Sequence, residues 1–344
     1  MRITYGPWGE TLEELTEAAR AAERAGAEVV WVPEMHRSAI VPAAALARST
    51  ESAAIGTAIA LAFTRSPMVT ALEALDVDEM SGGRFILGLG TGVQRLNEDW
   101  HNVRWGKPVG RLRETVGAIR HFWARCTSGE PILLDGEHAP MRIRGYRRPF
   151  PVVRSRIPIY LAAVGPAMTR LAAEIGDGWI SHELCSPAYL AERILPEVTA
   201  GLARTPGKGR EDLDLVVSAC CSVDADPRVA RRRAAGLVGF YASVRSYTDF
   251  FAFHDLADEQ AVVVETFRSG RGADHLGDVV PDRMVDAVTL AGTPGEVRAR
   301  LAAYEGLADT VKLTPPTHGL PSADTRAAQQ SIIQLIAEIT GGQA

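Results

Sequence analysis

Four short segments hold residue types that can do chemistry. The first is Val30-Trp-Val-Pro-Glu-Met-His36, where a carboxylate and an imidazole follow an apolar run. Pro33 holds Val32 extended, so Glu34 and His36 sit just past the end of a strand. Three roles are open to Glu34: general acid, hydrogen-bond partner of a cofactor, or half of a salt bridge. The second segment is Trp179-Ile-Ser-His-Glu183, again an apolar run that ends in an imidazole. An ordinary imidazole titrates near neutrality, so His36 and His182 are both candidate proton donors. The third is Arg84-Phe-Ile-Leu-Gly-Leu-Gly-Thr-Gly92, a strand running into a glycine-rich turn. Glycines there let a ligand approach the backbone. The spacing is GxGxG rather than the dinucleotide GxGxxG, and no GK[ST] follows, so neither a Rossmann turn nor a P-loop fits. The fourth is Tyr160-Leu-Ala-Ala-Val-Gly-Pro-Ala-Met168. A strand here enters Gly165-Pro166 and a helix begins at once. The free amides and the dipole of a helix start make an anion site, although an ordinary βα turn has the same pattern.

These segments are positioned by a regular alternation. β-rich runs fall at residues 2–5, 28–32, 54–61, 84–89, 158–163, 178–181, 213–223 and 310–313, each followed by a helical pattern. Thr11 with Glu14 and Thr293 with Glu296 form capping boxes, and Ser66-Pro67 starts another helix. Eight strand–helix units predict an α/β fold, a (β/α)8 TIM barrel, as one domain over residues 1–344. Insertions are expected at about 93–110, 127–156 and 236–290, after strands four and seven. Such barrels carry their sites on that face. Trp100 and Trp105 in the first insertion could form a lid or simply pack. Tyr241, Tyr247, Phe250, Phe251 and Phe253 in the last could line an apolar substrate pocket, but read better as packing or a dimer contact.

Composition removes several classes. With 37 basic against 42 acidic residues the net charge is −5, so no basic field exists to attract nucleic acid. The longest uncharged apolar stretch, 52–64, falls short of the ~20 residues of a membrane helix. Residues 1–10 hold no apolar signal core, and the expectation is a cytoplasmic protein. Cys126, Cys185, Cys220 and Cys221 show no CxxC, and neither HxxxH nor HExxH occurs, so no metal site is expected. A Schiff-base barrel would need one of three lysines, of which Lys312 lies in the last strand.

Taken together, Trp31-Val-Pro-Glu34, Gly56-Thr-Ala-Ile-Ala-Leu-Ala-Phe-Thr-Arg-Ser-Pro67, Gly82–Gly92 and Val164-Gly-Pro-Ala-Met168 with Asp177-Gly178 resemble the bacterial luciferase-like superfamily, in its branch of coenzyme F420-dependent oxidoreductases. The resemblance runs over nearly the whole chain. It implies a barrel that binds a deazaflavin or flavin at its C-terminal mouth and works on a small-molecule substrate, commonly as a homodimer. It further implies a non-proline cis peptide at Ala58-Ile59, a phosphate site at Gly165, Pro166, Ala167 and Met168, and cofactor contacts from Glu34, Ala58, Ile59, Gly90 and Thr91. The expected reaction is hydride transfer between the deazaflavin C5 and a small organic substrate, with Glu34, His36 or His182 supplying a proton. Two other functions share the barrel: an FMNH2-dependent two-component monooxygenase using FMN, and a non-catalytic flavin- or deazaflavin-binding protein. The sugar-phosphate dehydrogenase relatives have a histidine after the strand-two acid and an acidic residue after the glycine-rich turn. Here these are Met35 and Val93, so the expectation is neither glucose-6-phosphate oxidation nor close mimicry of the methylenetetrahydromethanopterin reductases.

Overall fold

Where side chains are missing, backbones meet. A Cβ on Gly88 would stand 1.8 Å from the Thr57 carbonyl oxygen, and one on Gly56 would stand 2.1 Å from the Trp31 ring. Both glycines let neighbouring strands accommodate a group that any larger residue would displace. Thr57 then closes the gap: its hydroxyl donates to Gly88 O (2.7 Å) and accepts from Gly88 N (2.8 Å).

A computed structural model describes residues 1–343. Its strands are β1 (Arg2–Tyr5), β2 (Val29–Val32), β3 (Ala54–Thr57), β4 (Ala60–Leu61), β5 (Phe85–Gly90), β6 (Ile132–Leu134), β7 (Met141–Ile143), β8 (Ile159–Ala162), β9 (Gly178–Ile180), β10 (Asp214–Val223), β11 (Leu290–Gly292) and β12 (Thr310–Thr314). Counting β3 and β4 together, and setting aside the β6–β7 hairpin and short β11, eight strands each precede helical structure. This is the element order of a (β/α)8 barrel.

The chain divides into two compact units. Residues 29–180 with 197–214 hold parallel strands in the order β2, β3, β5, β8, β9, with β4 beside β5. Their near-continuous burial is what a parallel sheet covered on both faces requires. Residues 1–28, 181–196 and 215–344 hold β1, β12, β10 and β11, also parallel. There Tyr5 donates its hydroxyl to Gln329 Oε1 (3.0 Å) on the last helix, Ser322–Thr340.

Helix starts follow their caps. Thr11 accepts from Glu14 N (3.1 Å), Ser66 accepts from Val69 N (3.2 Å), and Thr293 and Glu296 form a reciprocal box. Each such cap stabilises its helix by about 1 kcal/mol. Two elements differ from the sequence reading. The expected strand over 54–61 is broken after Thr57 and resumes at Ala60, the break being the cis Ala58–Ile59 peptide that the resemblance implies. The region after β10 contains an unexpected strand, β11, whose Leu290 to Gly292 pair with Cys221 to Val223. All four cysteines are buried and free. Among the described residues no helix is long and apolar enough to cross a membrane.

Gly88→Ala is expected to cost more than about 4 kcal/mol, because the clash is with backbone that cannot rotate away. Gly117→Ala is the matched control. It lies inside the helix Pro108–Arg125 with nothing within 4 Å of its Cβ, and should stabilise by about 0.5–1 kcal/mol. Urea melts of both variants decide this, and equal midpoints would refute the steric account.

Candidate functional site

At the end of β2 the chain turns through Pro33 and is tied to the cis segment. Ala58 N donates to Val32 O (2.8 Å) and Glu34 N donates to Ile59 O (3.0 Å). The Glu34 carboxylate, 9% exposed, accepts from Leu61 N (2.7 Å) and from both terminal nitrogens of Arg65, Nη1 at 2.8 Å. This bidentate fork is the strong form of the ion pair. Burial raises the Glu34 carboxyl, but the hydrogen bonds from Arg65 and Leu61 and the Arg65 charge outweigh it, leaving it below the usual range. A carboxylate held this way is ionised at neutral pH and has no proton to give. Of the three roles open to Glu34, the structure shows the salt bridge. Arg65 Nε also lies 3.4 Å from Glu73, whose carboxyl is pushed up by burial.

The glycine-rich turn adjoins this segment. Gly90 is bare because a Cβ would stand 2.8 Å from the Ile59 side chain, and Ala62 N donates to Gly90 O (2.9 Å). Thr91 donates to Gly92 O (3.0 Å). Asn97, fully buried, fastens the turn by donating to Thr91 O (2.8 Å) and Val93 O (3.0 Å). Trp105 packs edge-on to Phe63 and Arg111 lies over the same ring at 4.2 Å, whereas Trp100 is exposed.

The helix Pro166–Ile175 starts as an open amide cradle. Gly165 is its N-cap without a side chain, Pro166 has no N–H, and Thr169 N makes the first helical bond, to Gly165 O (3.0 Å). The amides of Ala167 and Met168 therefore have no intrahelical acceptor. Gly165 to Ala167 are exposed, and a Cβ on Gly165 would meet nothing within 4 Å. Beneath them the Thr169 hydroxyl is buried without a partner.

A second group of residues belongs to the other unit. Leu184 N donates to His182 Nδ1 (3.2 Å), which fixes the proton on Nε2, and Nε2 is buried with no partner. Rings surround the imidazole: Phe250 at 4.9 Å, Tyr247 at 5.0 Å and Tyr241 at 6.0 Å. Burial, with a smaller contribution from His254, pushes its pKa down to about 3. This corrects the expectation that His182 titrates near neutrality: the imidazole is neutral, and its Nε2–H has no acceptor. The aromatic cluster of the last insertion packs in part around this imidazole. His36 lies exposed in the loop after Glu34. The structure thus joins Glu34, Ile59, Gly90 and Thr91 through a run of direct contacts. The sequence singled out neither Arg65, which pairs with Glu34, nor Asn97, which fastens the glycine-rich turn. Arg65 stood inside a quoted motif, 31 positions from its partner, and Asn97 had no local signal at all.

The sequence profile of the luciferase-like monooxygenases matches residues 2–310. The chain belongs to that family. Among its luciferase-like relatives is a Mycobacterium tuberculosis protein named provisionally as a coenzyme F420-dependent oxidoreductase, 32% identical over 90% of this chain and 92% of the relative. Another is the 5,10-methylenetetrahydromethanopterin reductase of Methanolobus tindarius, 30% identical over 84% and 85% of the two chains. Among solved structures, the coenzyme F420-dependent tetrahydromethanopterin reductase of Methanopyrus kandleri superposes with a TM-score of 0.83 over the full length of both chains at 20% identity. That likeness shows a common fold, the (β/α)8 barrel of the luciferase-like proteins.

Proposed function

We propose that this luciferase-like protein is a coenzyme F420-dependent oxidoreductase that moves a hydride to or from a small organic substrate. The observation that carries the proposal is the exposed helix start at Gly165–Met168. Two unpaired amides, an absent Cβ and the helix dipole match the phosphodiester of the cofactor. The relatives described above support the same choice. When bound, the deazaflavin supplies the hydride chemistry at C5.

The protein's own residues bind and orient. Ala167 and Met168 hold the phosphate. Glu34 and Arg65 lock the Ala58–Leu61 segment, so that Ile59, Gly90 and Thr91 present a fixed surface to the ring. His182 serves through its Nε2–H as a neutral donor to a substrate oxygen or nitrogen, and the rings about it exclude water. Its test is His182→Ala. Turnover should fall at least tenfold while F420 affinity is retained, and wild-type turnover in that variant removes the assignment. No activity inflection between pH 5 and 8 should belong to this imidazole.

An FMN-dependent monooxygenase remains the second reading, because the same amide cradle accepts the FMN phosphate. Titrating the purified protein with F420 and with FMN, following ligand fluorescence, separates the two. Micromolar or tighter F420 binding with weak FMN binding supports the proposal. The reverse preference replaces it with the monooxygenase, and binding of neither overturns both.

A further inference from the structure

In the unit of residues 1–28, 181–196 and 215–344, Lys312 on β12 is the register partner of Thr4 on β1 and of Ser218 on β10. Register partners in a parallel sheet point to the same face, so Thr4, Lys312 and Ser218 share one. Tyr5, the next residue, points to the opposite face and reaches the last helix. Thr314, two residues past Lys312, returns to the Lys312 face. A Cβ on Gly6 would lie 3.7 Å from Lys312 Cε and 3.3 Å from Thr314 Oγ1. Gly6 therefore packs closely against both, with no side chain of its own between the β1 backbone and these two polar residues.

The polar groups on this face are incompletely satisfied. Lys312 is only 5% exposed, and its ionic partner, Glu183, lies at 3.8 Å. That is well beyond the 2.7–2.9 Å of a charge-assisted hydrogen bond. The Ser218 and Thr314 hydroxyls are both buried without a hydrogen-bond partner. Buried polar groups are normally satisfied, and each exception asks for a reason. One face of the sheet thus carries an ammonium with a single carboxylate at 3.8 Å and two hydroxyls whose donors are unused. Burial also pushes the Lys312 ammonium down, and Glu183 offsets part of that.

We propose that Lys312, Ser218 and Thr314 form a subsite for a carboxylate, so that the substrate is an organic acid rather than a neutral molecule. The proposal rests on the oxidoreductase reading for the word substrate, but the subsite is tested without cofactor. Benzoate and benzyl alcohol form a charged and neutral pair of equal bulk. Calorimetric titration of the whole purified protein should show benzoate binding at least tenfold tighter than benzyl alcohol. Lys312→Met should erase that difference while F420 affinity stays at the wild-type level. The double variant Ser218→Ala with Thr314→Val keeps the charge, and should weaken benzoate about threefold to tenfold. It decides the matter if the lysine variant does not fold. Equal affinity for the two probes, or unchanged benzoate binding in the variants, overturns the subsite. Loss of F420 binding in the wild-type protein would instead sink the oxidoreductase reading and leave the subsite standing.

Discussion

Replacing Arg65 with methionine should cost about 3–5 kcal/mol, the usual penalty for stranding a buried carboxylate without its cation. Glu34 is 9% exposed and Arg65 18%, so little solvent screening softens the loss. Leu61 N would remain on the carboxylate but cannot supply charge. Adding Glu34→Gln to Arg65→Met should restore part of the stability, since the stranded charge is then gone. The pH dependence has a definite sign. The folded Glu34 carboxyl lies below its unfolded value, so its stabilisation is fully present above the unfolded value near 4.3 and lost as pH falls through the folded one. Urea melts of wild type and Arg65→Met should therefore stand well apart at pH 7 and converge in strong acid. A gap below about 1 kcal/mol at pH 7, or one that does not change with pH, would show that the pair is not acting as described.

Gly165→Asp should separate binding from folding. The backbone there has φ of −89°, and no neighbour lies within 4 Å of a new Cβ, so the substitution brings no strain. Aspartate is a favoured N-cap and its charge complements the helix dipole, so stability should be unchanged or rise by up to about 1 kcal/mol. The introduced carboxylate would take the amides of Ala167 and Met168 and repel a phosphate. Affinity for F420 should fall about 100-fold, ~2.7 kcal/mol, while Gly165→Ala binds nearly as the wild type. Fluorescence titration and a thermal melt on the same preparation test both halves. Retained affinity in Gly165→Asp would move the phosphate away from this helix.

What the sequence made legible was local. Thr11, Ser66, Thr293 and Glu296 announce their helices because a cap interacts within one turn. Gly165-Pro166 announces the amide cradle for the same reason. What depended on distant residues stayed hidden. The roles open to Glu34 narrowed only when Arg65 came into contact with it, and the neutrality of His182 follows from rings near residues 241–250. Short β11 was missed because three residues, Leu-Ala-Gly, carry no period, and its strand character comes from pairing with Cys221 to Val223. Asn97 looks like any polar loop residue until its two carbonyl partners are in place.

Glu34, Ala58, Ile59, Arg65, Gly90, Thr91 and Gly165 to Met168 all fall within the uninterrupted stretch of residues 29–180. His182, Ser218, Lys312 and Thr314 all come later in the chain. A single genetic crossover near residue 180 would therefore pass on all of the proposed cofactor residues while replacing every one of those later residues. On the proposed reading, descent with recombination can give such a gene a new client without asking it to relearn its coenzyme.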